Sequence, residues 1–267
     1  MKLTLFLGLL ILASCASLKP VENQLSKDLS REDFLKEQQL REDALGAVTG
    51  KLQVRYSVKR GSFMGAAKFV KTDRESRFEV SDPMGRTRYW LIGDLEGILA
   101  YYETDQVAYT AGEGGKKYFE EFFGMRLTWK EIENIWMGIL PRKWRENLEE
   151  KWMYDTGIYR GLIRQENKEP IHLEISAKTR QVNRIQMKRG VQEVQIVFSD
   201  FDACCAYERG DSILGHSVEI KLPDPSEKIG LEWEELSILE QAPNPVLFSR
   251  KLLGRVKMIN LDKQGKR

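Results

Sequence analysis

Histidine and cysteine, the side chains that most often bind metals or act in catalysis, are scarce in this sequence. Of 267 residues, two are histidine and three are cysteine. His172 and His216 lie in separate strand-like segments without a cysteine or carboxylate at the spacing of metal ligands. We expect the adjacent Cys204 and Cys205 to be free thiols, because a disulfide between neighbours is strained; a redox-active vicinal disulfide is the alternative. The sequence predicts neither a bound metal nor a cofactor.

The common motifs of nucleotide-binding and hydrolytic enzymes are also missing. The chain contains no Gly-x-Ser-x-Gly elbow, no P-loop and no dinucleotide-binding glycine fingerprint. Its glutamate-rich stretches are more simply explained as solvated faces. A pair of carboxylates that only folding brings together is the remaining alternative for catalysis. We therefore expect a protein that is not an enzyme.

Neither sign of charge dominates, and long apolar runs are few. The chain has 42 Lys and Arg against 40 Asp and Glu. A nucleic-acid-binding protein normally carries a basic patch or stripe, so we expect no nucleic-acid partner. No apolar run reaches the ~20 residues that a membrane-spanning helix needs.

The one pronounced apolar run lies at the N-terminus. After Lys2, the segment 3–13 is apolar or small, and Leu12-Ala13-Ser14-Cys15 matches the lipobox of bacterial lipoproteins. We predict a signal peptide over residues 1–14, lipid attachment at Cys15 and a lipidated tether over 15–29. An ordinary secretory signal with a chance cysteine is the alternative. In the sorting of bacterial lipoproteins, an alanine directly after the lipidated cysteine, here Ala16, permits transport to the outer membrane. We therefore expect a protein that is lipid-anchored in the outer membrane and faces the periplasm.

Most of the remaining chain has the period-two pattern of β-strands. In the segment 51–59, Leu52, Val54, Tyr56 and Val58 share one face and charged or polar residues the other. Similar segments follow to residue 110 and again from residue 157 to residue 240. Asp82-Pro83-Met84-Gly85 between two of them predicts a turn. About a dozen strands with short connections predict an antiparallel sheet.

Two helical patterns interrupt the strands. Tyr118, Phe119, Phe122 and Phe123 recur at helical spacing. Ile132, Ile135, Trp136 and Ile139 do so after Thr128, which suits a helix N-cap. A further polar helix is expected from Ser30, as its N-cap, to about Leu45. The first two patterns predict a helical cover near residues 115–150.

These apolar stripes support two interpretations. The helices could fill an ordinary core, or they could cover a concave sheet and leave a lipid-sized cavity. Each buried methylene gains ~0.8 kcal/mol, so such a cavity would favour acyl chains. In the second interpretation, the cavity residues are Val54, Tyr56, Phe69, Phe78, Val80, Tyr102, Phe119, Phe122, Phe123, Ile132, Ile135 and Trp136.

Several short motifs occur in the order seen in a known family. They are Gly50-Lys51-Leu52, Phe69, Asp82-Pro83-Met84-Gly85, Phe123-Gly124-Met125 and Trp136-Met137-Gly138-Ile139-Leu140-Pro141. Together they resemble the LolB family of outer-membrane lipoprotein receptors, over residues 45 to 141. The second half of the chain is longer than expected for that family and carries no matching motif.

The resemblance implies an unclosed, strongly curved antiparallel half-barrel of about 11–12 strands, with α-helices on its open side. We assign residues 30–248 to a single LolB-like lipid-binding domain, followed by a basic C-terminal tail over 249–267. The implied activity is to accept lipoprotein acyl chains from a LolA-like periplasmic carrier and insert the lipoprotein into the outer membrane. Pro83, Met84 and Gly85 would form the membrane-insertion loop.

Two other functions fit the same sequence. The domain could be a binding module of this fold for another lipid or a glycolipid. It could also be a structural or assembly lipoprotein of the envelope that has no ligand cavity. Lipid that copurifies with the protein would distinguish both binding functions from the structural one.

Overall fold

The computed structural model describes residues 29–58, 61–123, 125, 127–166, 169–189, 192–203, 213–224, 226–239, 241, 243–250 and 256–264. The predicted signal peptide, Cys15 and the pair Cys204 and Cys205 lie outside these ranges, and their predicted roles stay predictions. All of the predicted tether except Leu29 lies outside them too. Leu29 is buried, and its N–H donates to the hydroxyl of Tyr159 at 3.2 Å.

Fourteen strands in the described residues form one sheet. Alternating apolar residues dictate these strands, as the burial of every second residue of Glu75–Ser81 illustrates. The strands are β1 (Val48–Val58), β2 (Gly61–Lys71), β3 (Glu75–Ser81), β4 (Thr87–Asp94), β5 (Gly97–Tyr102), β6 (Val107–Gly112), β7 (Met153–Asp155), β8 (Ile158–Ile163), β9 (Ile171–Ser176), β10 (Val182–Arg189), β11 (Gln192–Ala203), β12 (Ile213–Lys221), β13 (Lys228–Ile238) and β14 (Lys257–Asn260).

The sheet consists of two meanders that lie side by side. Strands β1 to β6 follow one another, β7 to β13 do the same, and β1 pairs with β13. All neighbours are antiparallel except β6 and β14. Strands β14 and β7 are the two edges, and the sheet does not close. The predicted fold, a mainly β, unclosed and curved antiparallel sheet with helices, is confirmed.

The number of strands exceeds the predicted 11–12 by two short edge strands. Strand β7 has three residues and β14 has four. Runs of this length are at or below the shortest that an alternating pattern can identify. Strand β14 also lies within the predicted basic tail, so residues 257–260 of that segment belong to the sheet. The single-domain assignment itself stays a prediction.

Five α-helices occur in the described residues: α1 (Arg31–Ala44), α2 (Lys116–Phe123), α3 (Trp129–Trp136), α4 (Arg142–Glu146) and α5 (Leu261–Gln264). Single turns of 3₁₀ helix lie at Glu113–Gly115 and Pro245–Phe248. Ser30 caps α1, as predicted, by accepting a hydrogen bond from the Asp33 N–H. Thr128 caps α3, also as predicted, and forms a capping box with Glu131.

Helices α2, α3 and α4 come between β6 and β7, and so between the two meanders. Their apolar residues join the main core, which also contains one face of the sheet. A smaller cluster lies on the opposite face of β4, β5 and β6, where Phe248 packs with Trp90 and Tyr101. The segment around Phe248 is held there by Arg250, which donates to Asp94 at 2.7 Å.

Candidate functional site

A cavity of about 750 Å³ lies between the sheet and the helices. It is lined on one side by β1 to β5 and on the other by α2 and α3, so both structural units that the sequence predicts contribute to it. Strands β12 and β13 add Ile220, Ile229 and Leu231. A pocket of roughly 300–1,000 Å³ is the usual size of a small-molecule site.

Most of the residues predicted for a ligand cavity line this space. They are Val54, Tyr56, Phe78, Val80 and Tyr102 from the sheet, and Phe119, Phe122, Phe123, Ile132 and Trp136 from the helices. Every second side chain of β1 and β3 therefore points toward the apolar stripes of α2 and α3, and the cavity lies between them. The structure brings these residues together; their contact with a ligand stays a prediction.

Phe69 and Ile135 do not line the cavity. Phe69 is buried against Trp233, with ring centroids 6.0 Å apart, because the Trp233 side chain of β13 reaches across Gly50 of β1, the residue that pairs with Phe69. Ile135 is 2% exposed and belongs to the close-packed part of the core. The prediction assigned both residues to the cavity because the period of apolar residues identifies which face of an element points inward. It does not show where along that face the packing leaves a cavity.

The cavity opens at one end of the sheet. Its exposed lining residues, which we call the mouth, are Ser62, Met64, Pro83, Thr104 and Asp105. They lie at the start of β2, in the β3–β4 turn and in the β5–β6 turn. In an antiparallel meander, alternate connections lie at the same end, so the topology itself gathers these turns.

The β3–β4 turn is fixed by the carboxylate of Asp82. Its oxygens accept hydrogen bonds from the Met84 N–H at 2.9 Å, the Arg86 N–H at 3.0 Å and the Arg88 side chain at 2.7 Å. Burial acts to raise the pKa of Asp82, but the hydrogen bonds from Arg86 and Arg88 outweigh it and hold that pKa well below the usual range. Gly85 has a φ of 77°, which favours glycine.

Met84 lies at the tip of this turn and is 79% exposed. Pro83 and Gly85 beside it are exposed as well, so the three residues of the predicted insertion loop project from the mouth. The predicted turn is confirmed by the hydrogen bond from the Gly85 N–H to the Asp82 carbonyl at 2.8 Å. Met84 does not fold back onto the strands, which was the alternative for such an adaptable side chain.

A group of tyrosine hydroxyls lies in the cavity wall. The Tyr118 hydroxyl lies 2.7 Å from that of Tyr102 and 3.4 Å from that of Tyr89. Tyr89 and Tyr102 line the cavity, and Tyr118 is buried behind them. Burial raises the pKa of Tyr102 to about 12, and raises those of Tyr89 and Tyr118 well above the ordinary value. All three are therefore neutral at physiological pH.

Sequence reasoning missed part of this wall. Tyr89 lies in the predicted strand near 87–92, but its neighbours Trp90 and Leu91 are apolar too, so alternation did not indicate its inward face. Ile220, Ile229 and Leu231 were missed because the family motifs end at residue 141. Their period-two pattern in β12 and β13 was the signal that could have found them.

Helix α3 is fixed to the end of the sheet opposite the mouth. The Trp129 indole N–H donates to the Ser76 hydroxyl at 2.5 Å, and that hydroxyl donates to the buried Glu133 carboxylate. The Trp129 ring lies directly over Gly93, where any Cβ would approach it to 2.2 Å. Nearby, the buried Lys71 ammonium donates to the Leu45 carbonyl at 2.8 Å.

The described residues contain no group of three or more His, Cys, Asp or Glu placed to bind a metal ion. Within the same part of the chain, no helix combines the length and the apolar character needed to cross a bilayer. The arrangement combines an apolar cavity, a cluster of neutral hydroxyls and an exposed apolar turn.

No protein-family model and no curated protein sequence matches the chain. Solved structures do match it. A LolA superfamily protein from Nitrosomonas europaea aligns with a TM-score of 0.54 and 6% identity, over 84% of this chain and 99% of that one. The chain shares the fold of this LolA superfamily protein.

Two further structures share this LolA-type fold. A provisionally assigned outer membrane lipoprotein-sorting protein domain from Vibrio parahaemolyticus has a TM-score of 0.58 and 7% identity, over 82% of this chain and 95% of that one. A DUF1329 family protein from Desulfovibrio piger has a TM-score of 0.60 and 9% identity, over 82% and 96%. Identities this low concern the fold alone, and the narrower resemblance to LolB stays a prediction.

Proposed function

We propose that this protein binds the acyl chains of a lipoprotein in its cavity and helps to insert that lipoprotein into the outer membrane. Cys15 would carry the lipid that anchors it there, facing the periplasm. A LolA-like carrier would deliver the cargo, as the resemblance to LolB implies. The LolA-type fold and the exposed Met84 turn are consistent with this function.

The observation that carries the proposal is the apolar cavity of about 750 Å³. A methylene group is similar in size to a water molecule, which occupies ~30 Å³ in the liquid, so a 16-carbon chain needs on the order of 500 Å³. At ~0.8 kcal/mol for each methylene removed from water, one such chain gains up to ~12 kcal/mol before ordering costs. The cavity therefore suits one acyl chain, or the proximal parts of two.

Native mass spectrometry of the purified protein, in the wild type and in Phe122→Glu, tests this function. Phe122 lines the cavity and is half-buried, so a glutamate there would place a carboxylate among apolar groups that a lipid would otherwise contact. We expect copurified lipid in the wild type and a large loss of it in the variant, with the β-sheet circular dichroism retained.

Leu40→Glu is the matched control, because Leu40 is 60% exposed on α1, away from the cavity. It should retain lipid. Wild-type protein without any lipid would contradict the proposal and favour the structural function. Unfolding of Phe122→Glu, with Leu40→Glu intact, would indicate that the helices fill an ordinary core.

A further inference from the structure

The three tyrosine hydroxyls in the cavity wall have more hydrogens than they can use among themselves. Each hydroxyl carries one hydrogen, and the cluster contains two contacts, Tyr118 to Tyr102 and Tyr118 to Tyr89. Two hydrogens satisfy these contacts, and the third has no acceptor in the described residues. An unsatisfied donor is costly in an apolar site, so an acceptor is expected there.

The position of the spare donor follows from the geometry of the chain of hydroxyls. If Tyr118 donates to Tyr102, then Tyr89 donates to Tyr118 and the hydrogen of Tyr102 is left over. If Tyr118 donates to Tyr89, the hydrogen of Tyr89 is left over. If Tyr89 and Tyr102 both donate to Tyr118, the spare hydrogen is that of Tyr118, which is 0% exposed, so this arrangement leaves a fully buried donor unsatisfied and is disfavoured. In the two favoured arrangements the spare donor belongs to Tyr102 or Tyr89, which line the cavity.

The charge around the cluster indicates which acceptor it suits. Among the described lining residues, Arg88 is the one cation, and its guanidinium is already bound to Asp82 at 2.7 Å. An ionised carboxylate in the cavity would therefore lack a counter-charge, and burying it would be costly. A neutral carbonyl oxygen can accept the hydrogen bond without that cost.

We infer that the Tyr89–Tyr102–Tyr118 hydroxyl cluster binds the carbonyl oxygen of an esterified acyl chain, so that the group it recognises is a neutral acyl ester. This inference rests on the proposed function, since it names the chemical group that the cavity recognises. The diacylglyceryl group of a lipoprotein and the acyl esters of a phospholipid share this chemistry. An alkyl chain without a carbonyl would bind by its apolar surface alone.

Two probes that differ by one carbonyl test the inference. In 1-monopalmitoylglycerol the chain is joined by an ester, and in 1-O-hexadecylglycerol by an ether. Each is used to displace the neutral fluorophore N-phenyl-1-naphthylamine from the purified full chain. We expect the ester to bind about fivefold more tightly, the difference that one hydrogen bond of ~1 kcal/mol gives.

The double variant Tyr89→Phe/Tyr102→Phe should abolish this difference, because the remaining Tyr118 hydroxyl does not line the cavity. Tyr101→Phe is the matched control: Tyr101 is the neighbour of Tyr102 on β5, but it packs with Trp90 on the opposite face of the sheet. It should keep the fivefold preference. A preference that persists in the double variant would overturn the inference.

The wild-type comparison remains decisive even where the double variant does not fold. Equal affinities for ester and ether would overturn the carbonyl site and leave the acyl-binding function standing. Failure of the fluorophore and both probes to bind would overturn the two together. A diacylglyceryl-cysteine lipopeptide and a phosphatidylglycerol vesicle, each paired with its ether-linked analogue, then distinguish the sources: the ester preference appears with the lipid that the site takes.

Discussion

Replacing Met84 with glutamate should impair transfer of lipid to membranes and leave the protein folded. Met84 is 79% exposed, so its side chain contributes little to the core. The turn is held instead by the Asp82 carboxylate, which accepts the Met84 backbone N–H at 2.9 Å, a contact that the substitution keeps. We therefore expect the free energy of unfolding to change by no more than about 0.5 kcal/mol.

The effect on membrane contact should be much larger. A methionine side chain that moves from water into the apolar part of a bilayer gains ~1.5–3 kcal/mol. Since each 1.4 kcal/mol is a tenfold change in an equilibrium constant, the variant should contact membranes roughly 10- to 150-fold more weakly. Met84→Leu keeps an apolar side chain of similar size and should transfer lipid at least as well as the wild type.

The assay follows release of a fluorescent lipopeptide from the protein into liposomes, beside thermal melting of the same samples. Leu95→Glu is the control, because Leu95 is 73% exposed in the β4–β5 turn at the end of the sheet opposite the mouth. It should transfer normally. Equal rates for Met84→Glu and wild type would refute the insertion role, and a large fall in melting temperature would mean that Met84 supports the fold.

Two other substitutions have definite expected outcomes. Cys15→Ala should abolish incorporation of radiolabelled palmitate and leave an unprocessed or soluble periplasmic protein. Retained palmitate labelling in that variant would contradict the lipobox interpretation. Burial lowers the pKa of Lys71 to about 8, below the ~10.4 of an unfolded chain, so the unfolded state binds more protons between these pH values and stability rises with pH. Compared with Lys71→Met in urea unfolding, wild-type protein should gain about 2 kcal/mol between pH 7.5 and pH 9.5, and parallel curves for the two proteins would contradict this assignment.

The sequence predicts the strands and caps well because their causes are local. Alternation of apolar residues reflects the two faces of a strand, and Ser30 and Thr128 cap their helices through hydrogen bonds that span three residues. The antiparallel order also follows, since short connections favour antiparallel neighbours, whereas the open and curved shape of the sheet was implied only by the resemblance to LolB. Edge strand β14 does not follow, because its pairing with β6 joins residues about 150 positions apart.

The candidate site is less predictable because cavities depend on what is missing between packed surfaces. Phe78 and Phe69 face each other in neighbouring strands, yet only Phe78 lines the cavity. The difference arises from Trp233, a residue of the second meander that fills the space beside Phe69. No periodicity in β2 or β3 contains that information, so the depth of the gap could be learned only from the assembled sheet.

The coincidence of cavity mouth and exposed turn has a topological cause. In the first meander, the β1–β2, β3–β4 and β5–β6 connections must lie at one end, and the β2–β3 and β4–β5 connections at the other. Trp129 and Glu133 fix α3 to the second end through Ser76. Space between helices and sheet therefore opens at the first end, where Met84 already projects. The strand order alone therefore places the apolar tip of the Met84 turn beside the mouth of the apolar cavity.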